Sequence, residues 1–299
     1  MSLNATNTTR MQREWMSIAH VVWVTLTILA IVLFVAATLE SVGEPLPRCT
    51  QPGVDCDPVE LSAEDLAVLR DSGLPLGLMT AFFAGIDLVL NVTFLVVGVV
   101  IFWRRADDWM ALLFSVTLIL LGMVVFTSSF NVLLRTRPEL WWVVFSLGCL
   151  AVTSLFLLLY VFPDGRFVPG WTRFVMLPSV VILLDWYSGR GRIPELVLLL
   201  WLAALVGSAI YAWIYRYRRV ATPVERQQTK WVAFGLLGAL GVVFTWFIMA
   251  TNFPPDRPSV NRTSALLVSR PILVASAMIF PLSTAFAILR YRLYDIDIP

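Results

Sequence analysis

The sequence carries little charge for its length of 299 residues. Charged residues make up 14% of the chain and apolar residues 59%, whereas soluble domains carry about 25% charged residues. The apolar residues fall in blocks of roughly 20, the length of a helix that crosses the hydrocarbon core of a bilayer. The composition therefore excludes an ordinary soluble domain and predicts an integral membrane protein in contact with the lipid bilayer.

The apolar blocks also lack the alternation of apolar and polar residues that is typical of membrane barrel strands. In lipid every backbone N–H and C=O group must be bonded internally, so these blocks are predicted to be helices. The net charge is only +2, which is too small to suggest a nucleic-acid partner. We therefore expect an all-α membrane protein with short loops.

The residue types that build catalytic and metal sites are scarce. The only histidine, His20, begins the first apolar block and lacks the sequence context of a kinase phosphoacceptor, so we interpret it as an interfacial histidine. A glycine-rich phosphate loop, a cluster of metal ligands and a Ser/His/Asp set are all missing. The sequence predicts no catalytic residue, no metal site and no cofactor, and thus predicts that this chain is not an enzyme.

Eight apolar blocks are candidates for membrane spans. They lie at residues 18–39, 76–103, 110–134, 140–162, 174–187, 194–215, 231–250 and 266–289. The fifth block is short and contains Pro178 and Asp185, so its crossing is argued from charge. Cytoplasmic loops are enriched in Lys and Arg. The basic cluster at residues 216–230 lies on the same side of the membrane as the other basic loops only if the fifth block crosses. We predict eight spans with both termini in the cytoplasm.

The predicted organisation follows from these spans. A cytoplasmic segment at residues 1–17 precedes a membrane domain at residues 18–289, and a short cytoplasmic segment at residues 290–299 follows it. The first extracytoplasmic loop, residues 40–74, agrees with this orientation because it carries eight acidic residues and only two arginines. The last segment is charged and amphipathic, in contrast to the block before it.

The first extracytoplasmic loop is predicted to hold a disulfide. Cys49 and Cys56 enclose a Pro-Gly turn on the predicted oxidising side of the membrane, where disulfides persist. A metal site is the alternative, but two cysteines without a third ligand make a poor one. The same loop is predicted to hold a short helix, because Ser62 and Asp65 have the spacing of a capping box. This helix is either a lid on the outer surface, which we favour, or part of a ligand entrance.

Polar residues inside the spans are candidate functional residues because a charge there costs about 2.5–3.5 kcal/mol on insertion scales. Asp87 lies near the middle of the second span, with Asn91 one turn later and Thr80 about two turns earlier on the same face. We identify no arginine at the depth of Asp87, so we expect a neutral or hydrogen-bonded carboxyl that lines an interior polar pocket. Sensing of a ligand or proton and simple packing are equally compatible with this pattern.

Asp185 and Trp186 form a second candidate sensing site near the outer end of the fifth span. Simple exposure at the membrane interface is the alternative for Asp185, and we favour that interpretation.

Two cytoplasmic segments are predicted to be rigid. The first is a turn between the fourth and fifth spans, formed by Pro163, Asp164, Gly165 and Arg166. Pro fixes φ, Asp caps the turn locally and Gly tolerates a positive φ, so this turn is expected to act as a clip between two helices. In the second segment, TPVERQQTKW, Pro223 fits the first position of a helix that begins in the cytoplasm and continues into the seventh span.

The stretches FPDGRFVP, ERQQTKWVAFG and ILRYRLYDIDI, together with FWRRADDWMALLFS after the second span, resemble the membrane region at the N-terminus of many bacterial sensor histidine kinases. The resemblance implies a multi-pass sensor in the bacterial inner membrane. It would detect an extracytoplasmic or intramembrane stimulus and transmit it to a cytoplasmic histidine kinase module, in this chain without the catalytic half. A homodimer is one assembly that the resemblance allows.

In these relatives the last stretch continues into a linker and a kinase. The resemblance therefore implies that the end of this sequence is the start of an output linker, either in a shortened chain or in a stand-alone sensor. The residues that would carry the output are Arg290, Arg292, Tyr294, Asp295 and Asp297.

A transporter or channel for small molecules or ions is the alternative function. Pro178 and Pro281 interrupt spans, as in the broken helices of transporters. However, the two halves of the chain share no convincing repeat, and charge at the midplane is sparse. The sequence does not identify the ligand or stimulus.

Overall fold

The computed structural model describes residues 11–43, 62–71, 76–127, 129–162, 165–187, 193–219, 223–254 and 259–290. Within these ranges the chain folds into ten α-helices and no strand. The helices are α1 Arg13–Gly43, α2 Ala63–Asp71, α3 Leu76–Arg104, α4 Trp109–Leu120, α5 Phe130–Thr136, α6 Trp141–Val161, α7 Thr172–Tyr187, α8 Glu195–Arg219, α9 Pro223–Asn252 and α10 Val260–Arg290.

Five stretches of these helices are long and apolar enough to cross a membrane: Arg13–Glu40, Ala81–Arg104, Pro138–Val161, Leu196–Arg219 and Val260–Ala287. They correspond to the first, second, fourth, sixth and eighth predicted spans. Shorter apolar stretches occupy the third and seventh, and α7 occupies the fifth. The prediction of an all-α, multi-pass membrane protein is therefore confirmed.

The third predicted span is not one continuous α-helix. After α4 the chain forms a π-helical turn at Leu121–Val125, and it leaves the helix altogether before α5 begins. The N–H of Phe126 donates to the carbonyl of Leu121 at 2.9 Å, the five-residue spacing of a π bond. Gly122 lies in this turn so close to α3 that a Cβ atom there would be 2.5 Å from the Cβ of Phe94. The close approach of two helices coincides with the turn, and hydropathy alone does not reveal it.

The principal core lies between α1, α3, α4, α6 and α10. A chain of hydrogen bonds ties three of these helices together. The indole N–H of Trp23 on α1 donates to Oγ of Ser115 on α4 at 2.8 Å, and that hydroxyl donates to the carbonyl of Gly98 on α3 at 2.7 Å. The buried indole N–H of Trp23 and the hydroxyl of Ser115 thereby each have a partner.

Three segments lie together at one end of the bundle: the loop between α3 and α4, the loop between α6 and α7, and the start of α1. Nε2 of His20 lies 2.8 Å from the carbonyl oxygen of Ala106, so the histidine predicted to be interfacial contacts the α3–α4 loop. Gly165 has a φ of 76°, which confirms the predicted positive φ of this turn. A Cβ atom on Gly165 would lie 2.4 Å from the ring of Trp109. Two of the four stretches that carry the sequence resemblance therefore contact each other.

The opposite end of the bundle holds α2 and the first turn of α10. Ser62 and Asp65 form the predicted capping box: the Ser62 N–H donates to Oδ2 of Asp65 at 3.0 Å, and the Asp65 N–H donates to Oγ of Ser62 at 3.1 Å. This confirms the short helix expected within residues 40–74.

Candidate functional site

Asp87 forms a buried ion pair with Arg270 between α3 and α10. Nη2 and Nε of Arg270 donate to Oδ1 of Asp87 at 2.5 Å and 3.2 Å. The expectation that no arginine lies at the depth of Asp87 is wrong. Asp87 is eleven residues beyond Leu76, where α3 begins, and Arg270 is ten residues beyond Val260, where α10 begins. Both helices rise about 1.5 Å per residue, so the two side chains reach similar depths.

Asn91, one turn after Asp87, is 1% exposed and lies beside the break that follows α4. The hydroxyl of Thr127 donates to the carbonyl of Gly122 at 3.1 Å and lies 3.3 Å from Oδ1 of Asn91. Nδ2 of Asn91 has no hydrogen-bond partner among the described residues. A buried polar atom without a partner costs about 1–3 kcal/mol.

The Asp87–Arg270 pair lies beside a position where α10 can bend. Pro271 directly follows Arg270 inside this helix, and Pro281 lies ten residues further on. Proline has no N–H for the helical ladder and its ring displaces the preceding turn, so each proline is a point where the helix can bend. Because Arg270 is attached to α3, the ion pair restrains α10 at the first of these points.

A second buried ion pair joins α10 to α2. Nε of Arg262 lies 3.1 Å from Oδ2 and 3.2 Å from Oδ1 of Asp65, and both side chains are 0% exposed. Nη1 of Arg262 also donates to the carbonyl of Phe253. Asp65 therefore caps its own helix and binds the first turn of α10 at the same time. Packing of α2 on the end of the bundle is the arrangement that the lid interpretation predicts.

Neither arginine partner was identified from the sequence. Arg262 lies between the seventh and eighth predicted spans, in a loop, where an arginine needs no partner. Arg270 lay inside the eighth predicted span, four residues from an uncertain boundary. The signal that could have found Arg270 is its own position, because a charge inside a span requires an opposite charge or a polar cavity.

The other predicted sensing residues contribute less to this site. Thr80 lies in α3 and Trp186 in α7, and the positions of their side chains are not described. Asp185 is half-buried, and its Oδ2 accepts a hydrogen bond from the N–H of Ile193 at 3.0 Å. Asp185 therefore links the last turn of α7 to the segment just before α8, a role that the sequence did not indicate.

Several predicted residues lie outside the described ranges: Cys49, Cys56, Pro163, Asp164, Arg292, Tyr294, Asp295 and Asp297. Arg290 is the last residue of α10. Of the predicted cytoplasmic turn, Gly165 and Arg166 are described. The carbonyl of Arg166 accepts a hydrogen bond from Arg216 of α8, and its side chain is exposed.

The described residues contain no group of three or more His, Cys, Asp or Glu side chains that could hold a metal ion. The candidate site is instead a polar cluster within an apolar bundle: an ion pair, an incompletely bonded amide and a hydroxyl. The ion pair attaches α10 to α3, and the amide lies one turn further along α3. A polar group that competes for Arg270 would weaken this attachment.

Comparison with known proteins does not assign the chain to a family. No protein-family model, no curated protein and no solved structure matches the chain. The function is therefore argued from the geometry of the bundle and from the four sequence stretches described above.

Proposed function

We propose that this chain is a membrane signal-input domain of the type that precedes bacterial sensor histidine kinases. It spans the inner membrane eight times, has both termini in the cytoplasm, and transmits a stimulus through α10 to a cytoplasmic kinase module. The observation that carries the proposal is that α10 bears both buried ion pairs. Arg262 attaches it to α2 at one end of the bundle, and Arg270 attaches it to α3 within the bundle.

The direction of α10 supports the proposed topology. Arg262 pairs with α2, which immediately precedes α3, and Arg270 pairs with α3 about two turns further along α10. Helices α3 and α10 therefore run in the same direction. Eight crossings from a cytoplasmic N-terminus produce this parallel arrangement, because the second and eighth spans, α3 and α10, then both run from the outside to the cytoplasm. If α7 did not cross, α10 would run opposite to α3.

The proposed signal acts on the attachment between α3 and α10. A proton or polar ligand that reaches Asp87 removes the charge complementarity that holds Arg270. Release of Arg270 permits α10 to bend at Pro271, and the far end of the helix then shifts or rotates. In the proposed topology that end leads directly to residues 291–299, which resemble the start of an output linker.

One observation favours the transporter alternative. The break between α4 and α5 lies beside the unsatisfied amide of Asn91, and interrupted helices with polar groups near the midplane are typical of transporter binding sites. A flux assay in proteoliposomes distinguishes the two functions, because a sensor domain moves no solute across the bilayer.

The proposed function is tested by fusing the chain after Ile298 to a dimerising histidine kinase. Insertions of one to four residues at the junction should change autophosphorylation periodically, because an α-helix turns about 100° per residue. The substitution Arg270→Gln should alter the activity of the fusion in the absence of stimulus, whereas Arg135→Gln, at an exposed position on α5, should not. Activity that is indifferent both to the insertions and to Arg270→Gln would contradict the proposal.

A further inference from the structure

A band of exposed aromatic and basic side chains lies where α7 begins and α8 ends. Tyr211, Tyr215 and Arg218 follow one another at i, i+4 and i+7, so they share one face of α8. The ring of Trp171 lies 6.0 Å from that of Tyr211, which in turn lies 6.1 Å from that of Tyr215. The three rings are between 37% and 51% exposed. We call Trp171, Tyr211, Tyr215 and Arg218, together with Arg173 two residues after Trp171, the aromatic–arginine shelf.

The shelf rests on a rigid loop. The buried guanidinium of Arg216 donates from Nη2 to the carbonyl of Tyr160 at 3.0 Å and to the carbonyl of Arg166. It thereby fixes the α6–α7 loop against α8. Thr172 donates from its hydroxyl to the carbonyl of Pro169 at 2.8 Å, which fixes the residue next to Trp171. The position of Trp171 against Tyr211 is therefore set by the fold before any partner arrives.

The shelf carries positive charge that no carboxylate of the described residues pairs with. Arg173, Arg218 and Arg219 are exposed. The guanidinium carbon of Arg173 lies 4.8 Å from the centre of the Phe174 ring, which orients this side chain. A guanidinium offers a planar fork of donors that matches a phosphate group. The chemistry of the shelf thus favours a phosphate-bearing partner.

The geometry favours a lipid as the source of that phosphate. Tyr211 and Arg218 are seven residues apart, or roughly 10 Å along the helix, so the arginine lies beyond the rings toward the end of α8. Aromatic rings prefer the boundary between headgroups and acyl chains, and basic side chains prefer the headgroups beyond it. On α7 the exposed apolar residues Phe174, Leu177 and Val181 continue away from the shelf and offer a surface for an acyl chain.

We propose that the aromatic–arginine shelf binds the headgroup of an anionic phospholipid. Arg218 and Arg173 contact the phosphate, while Trp171 and Tyr211 pack against the glycerol and upper acyl region. This inference does not depend on the proposed signalling function, because it concerns a surface on α7 and α8 and not the attachment of α10.

The test uses the full chain in nanodiscs of phosphatidylcholine with increasing phosphatidylglycerol. Native mass spectrometry of the released protein measures retained anionic lipid, and thermal unfolding measures the stabilisation it provides. Arg173→Gln and Arg218→Gln should each weaken retention about fivefold, the effect expected for one basic residue near an anionic surface. Arg135→Gln, an exposed arginine at the other end of the bundle, is the matched control and should leave retention unchanged.

Two further measurements distinguish a specific lipid site from misfolding and from a site for soluble anions. Arg218→Lys retains the charge but loses the planar fork, so it should restore part of the retention and shows that loss in Arg218→Gln is not misfolding. Equal loss of lipid in Arg218→Gln and Arg135→Gln would overturn the proposal, because it indicates general charge attraction. Displacement of the lipid by inorganic phosphate at matched concentration would also overturn it, since the shelf would then be a site for soluble anions.

Discussion

At the scale of single residues, the central feature is the pairing of Asp87 with Arg270 inside an apolar bundle. Each ion alone would lose several kcal/mol of hydration, and the pair is tolerated because both charges are compensated and hydrogen-bonded. The amide of Asn91, one turn away, is not fully satisfied among the described residues. The cluster therefore combines a strong attachment with a polar atom that remains able to bind a partner.

Substitution of either partner of this pair should destabilise the protein. Asp87→Asn preserves shape but leaves Arg270 as an uncompensated charge, so we expect a loss of about 3–5 kcal/mol in the free energy of unfolding. Arg270→Gln should cost a similar amount. The double variant Asp87→Asn/Arg270→Gln should recover at least half of the loss, because no charge is left without a partner.

The double-mutant cycle is measured by unfolding in lipid bicelles. From the sequence, sensing and packing are equally compatible with Asp87, but with Arg270 as its partner Asp87→Asn should destabilise the protein under either interpretation. Strictly additive losses in the double variant would show that the two side chains are not coupled, contrary to the geometry.

At the scale of secondary-structure elements, α9 and α10 are packed through small residues. A Cβ atom on Gly238 would lie 2.4 Å from the carbonyl oxygen of Ser276, and one on Gly241 would lie 2.9 Å from Oγ of the same serine. Lipid removes the hydrophobic drive that brings helices together in water, so close backbone contact and van der Waals packing hold them instead. Movement of α10 is therefore constrained on this side by α9.

Gly238→Ala tests this packing. The added methyl group meets backbone and cannot be accommodated by a rotamer change, so we expect a destabilisation of about 1–3 kcal/mol, typical of overpacking. Gly207→Ala is the matched control: it lies within α8 and a Cβ there meets no atom within 4 Å. The control should be neutral or stabilise by up to about 1 kcal/mol because alanine favours helix. Equal thermal unfolding of the two variants would contradict the close packing of α9 on α10.

At the scale of the whole molecule, two independent arguments favour the same topology. The distribution of arginine among the loops places residues 216–230 with the other basic segments only if eight spans cross. The two ion pairs of α10 require that α10 and α3 run in the same direction. Charge bias and helix direction have different physical origins, so their agreement strengthens the proposed arrangement.

Cysteine labelling tests the topology. In a chain whose three native cysteines are replaced by serine, an impermeant thiol reagent applied outside intact cells should modify Ser259→Cys and leave Gln227→Cys unmodified. Permeabilised cells provide the control, because both positions should then react. Modification of Gln227→Cys alone in intact cells would reverse the proposed orientation.

Features that depend on neighbouring residues follow from the amino-acid sequence alone. Composition and block length established the membrane class and the helices, the spacing of Ser62 and Asp65 established a capping box, and the turn residues predicted the positive φ of Gly165. The position of Asp87 inside a span marked it as costly. Each of these depends on interactions within a few residues along the chain, which the order of amino acids specifies directly.

The contacts between residues across the bundle are known only from the assembled fold. Arg270 and Asp87 are 183 residues apart, and Arg262 and Asp65 are 197 apart. In a soluble protein the apolar side of a helix reveals which face is buried, but in a membrane both the core-facing and the lipid-facing sides are apolar. The sequence pattern therefore does not indicate which face of α3 contacts α10. Equal depth and lateral packing bring the charges together, and these exist only once the helices are assembled.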